Sequence, residues 1–234
     1  MSCPLISNAD TIRVTRVDGC GRPVCGDDGA FVFDCFASLE MEPNIEEGED
    51  IEYKAANGRI CGFKRGCPSF KGFDLTLTFH MISPEFIELT TGAPPVYGYD
   101  GRPIGWDDCS IKCNSGFAIE LWAEVLGEDV CDTTGAGDGQ WIYVLLPWVT
   151  NGMMGNLSVG SEPTSPTLTG ATRAGGAWGV GPWDVMPLDA AGTAGPLLTP
   201  LGSACHRRII TTNVAPPAPV CDYVPVNSAL CLAS

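Results

Sequence analysis

Phe73-Asp-Leu-Thr-Leu-Thr-Phe-His-Met-Ile-Ser-Pro-Glu-Phe-Ile-Glu-Leu-Thr-Thr-Gly92 is the stretch that decides the fold. Phe73, Leu75, Leu77, Phe79 and Met81 alternate with Asp74, Thr76, Thr78 and His80. A period of two puts the first set on one face of a strand and the second set on the other, so residues 72–81 read as a half-buried strand with a polar outer face. The pattern then changes. Ser83 is a good N-cap, Pro84 suits the first helical position, Glu85 suits the first turn and Gly92 suits C′. One short helix, from about Pro84 to Thr91 and anchored by Phe86 and Ile87, therefore follows the strand directly.

Alternation recurs on either side. Phe117, Ile119, Leu121, Ala123 and Val125 face in, while Ala118, Glu120, Trp122 and Glu124 face out. Residues 31–41 put Phe31, Phe33, Cys35, Ala37 and Leu39 on one face. Trp141-Ile-Tyr-Val-Leu-Leu-Pro-Trp-Val149 is apolar on both faces, which predicts a strand that is fully buried or covered by a neighbour, with an edge or bulge at Pro147. Shorter strands are expected at 11–17, 49–54, 59–63, 166–173 and 205–212. Asn57-Gly58 between two of these signals a type I′ hairpin turn. Residues 132–140 and 174–182 are Gly-rich loops, and Ala215-Pro-Pro-Ala-Pro219 is a stiff extended arm. No tandem repeat and no second folded domain is visible, so one domain over 1–234 is expected.

Composition narrows the function. The chain has 234 residues with 29 Gly and 19 Pro, a high share that predicts turns, long loops and few helices. Charged residues are only 18%, low for a soluble monomer, which points to a surface covered by partners. Lys and Arg number 13 against 28 Asp and Glu, a formal net charge of −15 that argues against ordinary binding to nucleic acid or anionic membranes. No 18-residue apolar run is present, and the start has neither the basic nor the apolar region of a signal peptide. Residues 40–52 carry Glu40, Glu42, Glu46, Glu47, Glu49, Asp50 and Glu52 without a Lys or Arg, which reads as a solvated, mobile acidic loop.

The usual catalytic sets are missing. The histidines are His80 and His206 only, and Cys205 beside His206 is a poor dyad because adjacent strand side chains point to opposite faces. Gly135-Ala-Gly137-Asp-Gly139-Gln140 departs from a dinucleotide fingerprint at Gln140, with no helix pattern after it. The 12 cysteines, Cys3, Cys20, Cys25, Cys35, Cys61, Cys67, Cys109, Cys113, Cys131, Cys205, Cys221 and Cys231, lack the two-residue gap of a zinc knuckle or redox motif. Cys20/Cys25 and Cys109/Cys113 fit a looser zinc gap, but buried thiols or an adventitious disulfide across a loop are the expectation. Trp178 and Trp183 suggest a sugar-stacking platform, though such aromatics are more often packing anchors. Asn156-Leu-Ser158 is a formal glycosylation sequon without meaning in a non-secreted chain.

The ordered set of motifs resembles the major tail tube proteins of siphophages infecting actinobacteria. The resemblance lies in Arg13–Val24 as N-terminal strand and turn, Glu46–Cys61 as acidic hairpin, Phe73–Gly92 as strand plus helix, and Gly116–Trp122 and Leu145–Trp148 as later strands. Thr167–Thr172 through Gly176–Trp183, and Ala215–Pro219, complete it, so that it spans about residues 11–221. It implies a mainly β fold: a β-sandwich or partly closed barrel with one short flanking helix and long loops, closing with other copies into a β-barrel ring. It also implies a structural, non-enzymatic virion protein without cofactor or metal. It implies hexameric rings that stack into a tube, assembled in the host bacterial cytoplasm. The implied partners are the chain itself, a tape measure protein, a tail terminator and distal tail or baseplate proteins, with DNA passing through unbound and no membrane contact. The cysteine content is a departure from the family.

Two further expectations follow. Residues 1–10, 40–70 and 214–234 would be assembly elements outside the core, ordered by neighbours. A DNA channel must not hold its cargo, and duplex DNA carries about one charge per ~1.7 Å, so an acidic lumen is expected. The lumen candidates are Asp50, Glu52, Asp74, Thr76, Thr78, Glu120 and Glu124, of which Glu120 and Glu124 could equally face the exterior. The alternative function is a sugar-binding or hydrolytic β-sandwich using Trp178 and Trp183 or a carboxylate pair.

Overall fold

The computed structural model describes residues 5–109, 116–126, 140–155, 157, 160–161 and 164–227. Among these the chain is mainly β, with antiparallel sheets and one α-helix. The strands before the helix are β1 (Leu5–Val17), β2 (Gly26–Phe33), β3 (Phe36–Glu46), β4 (Ile51–Lys54), β5 (Ile60–Lys64) and β6 (Ser69–Phe79). The helix α1 (Pro84–Thr91) precedes β7 (Pro95–Tyr97), β8 (Pro103–Trp106), β9 (Gly116–Leu126) and β10 (Trp141–Met154). Then come β11 (Thr167–Thr172), β12 (Met186–Pro187), β13 (Ala194–Gly195), β14 (Arg208–Thr212) and β15 (Val220–Val226).

The main sheet runs β15-β2-β1-β9-β10-β11-β6-β3, with β14 pairing β10 over Trp141–Leu145, beyond the reach of β11. The pairs β4-β5, β7-β8 and β12-β13 are separate ribbons. The period-two stretch behaves as its pattern demands. Phe73, Leu75, Leu77 and Phe79 are buried, Asp74 is exposed, and Thr76 and Thr78 are half-buried. The helix spans Pro84–Thr91, with Phe86 N–H donating to the Ser83 hydroxyl and Gly92 in the left-handed region at φ 71°. It buries Phe86 and Ile87 completely, a contribution of about 1.5–3 kcal/mol for each side chain.

That helix explains the curvature of the sheet. Strands far apart in the sheet order, β2 and β6, place Phe31, Phe33 and Phe79 at 5.9, 5.1 and 5.2 Å from the Phe86 ring. The sheet curls around α1, and its concave face holds the main core, including Ile12, Val14, Ile119, Ile142, Val144 and Leu146. On the convex face a second core covers β9 and β10, reaching Val17 of β1 and Ile210 of β14. There Ala118, Trp122, Tyr143 and Leu145 pack against Trp178, Val185, Leu197 and Leu201 of the long segment 173–207. Thr212 donates its hydroxyl to Val185 O at 2.8 Å, which ties the segment down. This is why β10 is apolar on both faces, and the register shift between Leu146 and Val149 is the bulge at Pro147.

Several local expectations need correction. Residues 31–41 are two strands, not one. The chain breaks at Asp34-Cys35, and a bulge between Phe36 and Ser38 resets the alternation, so Leu39 and Met41 face the core while Cys35 and Ala37 are exposed. Residues 40–46 are not a loop: β3 pairs β6 from Phe36↔Phe79 to Glu46↔Ser69. The hairpin turn at Asn57-Gly58 is not type I′, which needs positive φ at both residues. Only Gly58 has it (φ 82°), with Gly58 N–H on Ala55 O at 2.8 Å and Ala55 N–H on Arg59 O at 2.8 Å. That is a type I turn followed by a left-handed glycine, the three-residue hairpin loop. Within the C-terminal arm, residues 220–226 belong to the sheet: β15 pairs β2 and Val226 is fully buried.

Candidate functional site

The convex face beyond the covering segment is bare on β3, β6 and β11. Its composition follows from the register, because residues directly opposite in an antiparallel pair share a face. Ser38, Glu40 and Glu42 of β3 stand opposite Thr78, Thr76 and Asp74 of β6. Thr167, Thr169 and Ala171 of β11 stand opposite Thr78, Thr76 and Asp74 from the other side. The result is three exposed carboxylates, Glu40, Glu42 and Asp74, on a bed of threonines. No Lys or Arg occupies these paired positions. Asn44 Nδ2 donates to Asp74 Oδ2 at 2.9 Å and orients that carboxylate. The Glu42↔Asp74 pair sets like charges opposite each other, an arrangement that costs stability in a sheet.

Of the expected lumen residues, Asp74, Thr76 and Thr78 are brought together here. Glu40 and Glu42 belong with them and went unnoticed because their strand reads as an acidic loop. The signal was present in Leu39 and Met41, apolar residues that alternate with the two glutamates. Asp50 and Glu52 lie elsewhere, at the β4-β5 ribbon. Asp50 accepts from Gly66 N–H at 2.8 Å, and Glu52 pairs with Lys54 at 3.2 Å.

Glu120 is not a surface acid. It is 0% exposed, lying beneath the segment 173–207, and Arg13 is only 5% exposed beside it. Arg13 Nε and Nη2 donate to the two Glu120 oxygens at 2.7 and 2.6 Å, a bidentate pair, and Tyr143 OH donates to Oε1 at 2.6 Å. The guanidinium lies over Trp183 and Trp122, 4.1 and 5.0 Å from the ring centroids. Burial, and then the neighbouring carboxylate, hold the Tyr143 phenol well above its ordinary pKa, so it stays a donor. Glu124, on the same strand face, is exposed opposite Trp141 and does not adjoin the Asp74 cluster in the sheet.

Among the described residues the candidate tryptophans, histidines and cysteines do not come together. Trp178 is buried in the second core, and Trp183 is half-buried, with its Nε1–H on Thr15 Oγ1 at 3.0 Å, so the two form no exposed stacking platform. His206 is buried, with Nδ1 3.0 Å from Thr172 Oγ1, while His80 is exposed with Nδ1 3.1 Å from Ser165 Oγ. The described free cysteines are not buried thiols. Cys20, Cys35, Cys61, Cys67, Cys109, Cys205 and Cys221 are free and exposed, on turns, ribbons and strand ends where no core reaches them. Cys25 is disulfide-bonded, whereas Cys3, Cys113, Cys131 and Cys231 lie outside the described residues, as do Gly135–Gly139 and the Asn156-Leu-Ser158 sequon apart from Leu157. Among the described residues no group of three His, Cys, Asp or Glu is placed to hold a metal. A cavity of about 390 Å³ lies by the C-terminal end of α1, lined by Ala93, Trp106, Met153 and Met154, with Asp108 its one described carboxylate.

No protein-family model matches the chain, and no curated protein matches it.

Proposed function

We propose that the chain is the structural subunit of a siphophage tail tube, self-assembling into stacked hexameric rings with an acidic channel for DNA. The observation that carries this is the bare β3-β6-β11 face. A sheet surface shaped only for folding and solubility pairs its acids with cations across strands. Here Glu42 and Asp74 oppose each other, Glu40 is two residues away, and the other paired positions hold hydroxyls and Ala171. Such a face repels phosphate and holds water, which is what a conduit for a polyanion requires. Around a ring the carboxylates would repeat as closed belts.

The edges of the sheet support the same assignment. β3 and β15 end the strand order, and among the described residues each leaves one side unpaired. Long unpaired edges invite association, and pairing them with neighbouring copies would complete the curled sheet into a closed barrel. Asp74, Glu40, Glu42, Thr76 and Thr78 would line the lumen, while Glu120 serves the fold. Tape measure, terminator and distal tail proteins would meet the ends of the tube, and the site would be in the virion. Size-exclusion chromatography with negative-stain microscopy of the purified chain tests the proposal. Rings or tubes with a central channel are expected; a monodisperse monomer at all concentrations and salts would refute it.

A further inference from the structure

The β4-β5 ribbon has two limbs of opposite charge. The incoming limb, residues 46–54, carries Glu46, Glu47, Glu49, Asp50 and Glu52 against a single cation, Lys54. The outgoing limb, residues 59–71, carries Arg59, Lys64, Arg65 and Lys71 and no acid. Five of the chain's 13 cations thus fall in one short stretch of a molecule with net charge −15. Two pairs close here, Lys71–Glu46 at 2.6 Å across the end of the β3-β6 ladder and Lys54–Glu52 at 3.2 Å along β4. Glu47 and Glu49 on one limb, and Arg59, Lys64 and Arg65 on the other, are exposed and have no ion-pair partner among the described residues.

The ribbon also lacks a core of its own. It is a separate two-stranded sheet, joined to the β3-β6 ladder where the backbone of Gly48 meets that of Gly66. A Cβ on Gly48 would lie 2.5 Å from Cys67 O, so the limbs touch there only because both positions are glycine. Ile51, Tyr53, Ile60 and Phe63 are 45, 66, 56 and 60% exposed. A lone two-stranded hairpin is marginal in water, and clustered exposed apolar side chains mark a contact surface.

We infer that the acidic limb of one ribbon docks beside the basic limb of the ribbon of a second copy, head to tail. Glu47 and Glu49 face Lys64 and Arg65 of the neighbour, and the contact covers apolar side chains left bare on the single chain. Two different patches meeting in this way propagate from copy to copy and close into a ring, whereas like limbs repel and fix the direction. The inference rests on the tail-tube reading and names the contact that would set its ring order.

Two charge-reversed variants test it. Arg59→Glu, Lys64→Glu and Arg65→Glu together make both limbs acidic; Glu47→Lys and Glu49→Lys together reverse the charge at the two contact positions of the acidic limb. Light scattering and sedimentation are read from about 50 to about 500 mM salt, the range over which screening lengths shrink to a few Å. Each variant alone should need at least about tenfold more protein to assemble than wild type, a change of about 1.4 kcal/mol. The equimolar mixture should recover assembly, because acidic limbs then meet basic ones, and recovery should fade with salt. Circular dichroism should show both variants folded. Assembly of either variant alone at the wild-type concentration, or a folded mixture that does not recover, overturns the limb-to-limb contact while leaving the tube reading standing. So does duplex DNA binding that the first variant loses while its assembly is unchanged. A wild-type chain that never self-associates overturns both.

Discussion

Replacing Arg13 with Met should cost about 3–5 kcal/mol of folding stability, the range for stripping one partner from a buried ion pair. The magnitude follows from what is left behind. Glu120 is 0% exposed and takes two of its three short hydrogen bonds from Arg13, so the variant keeps a buried carboxylate with Tyr143 OH as its remaining donor. The cation also leaves the Trp122 and Trp183 rings, loosening the segment 173–207 over β9 and β10. For a chain of this size the cost corresponds to a fall in Tm of about 6–20 °C. Adding Glu120→Gln to Arg13→Met should recover about 2 kcal/mol, because the amide removes the orphan charge yet still accepts from Tyr143. Urea unfolding at concentrations where the chain is monomeric measures both variants, with limited proteolysis reporting on residues 176–201. A cost below about 1 kcal/mol for Arg13→Met, or a further loss on adding Glu120→Gln, would refute a buried charge pair as the clasp beneath that segment.

Four other perturbations have defined outcomes. Burial lowers the His206 pKa below its ordinary 6.5, so the fold favours the neutral ring; its contribution is complete above about pH 6.5 and is lost as pH falls through the lowered folded-state value, and His206→Gln should flatten the pH dependence of urea midpoints in that window. Glu42→Gln relieves the like-charge pair with Asp74 and should raise stability by about 0.2–1 kcal/mol in thermal melts, while Glu42→Lys with Asp74→Lys should leave tubes assembling but slow DNA ejection most at low salt. Tyr223→Phe removes the hydroxyl that donates to Glu88 of α1, and should cost about 1 kcal/mol and raise hydrogen exchange in β15 without altering the rest of the sheet.

The strand and helix of residues 73–92 were legible because each rests on local chemistry: a period-two face, a serine cap, a proline at the first turn and a glycine at the end. Trp141–Val149 was legible as doubly covered for the same reason, its apolarity on both faces. What was not legible depends on residues distant in sequence. Glu120 reads as an outward acid until segment 173–207 is folded over it, and its partner Arg13 is 107 positions away. The acids of β3 read as a loop because charge masked the alternation of Leu39 and Met41; only pairing with β6 makes 40–46 a strand. The exposed cysteines were misread because cysteine is usually buried, and here they fall on turns and ribbons.

A reconstruction of the assembled particle by electron cryo-microscopy tests the central claim most directly. Stacked rings are expected, with Glu40, Glu42 and Asp74 on the inner wall, β3 and β15 paired with neighbouring copies, and Glu120 enclosed within each subunit. A tube whose inner wall is formed by another surface, with Asp74 and its two glutamates on the outside, would contradict it.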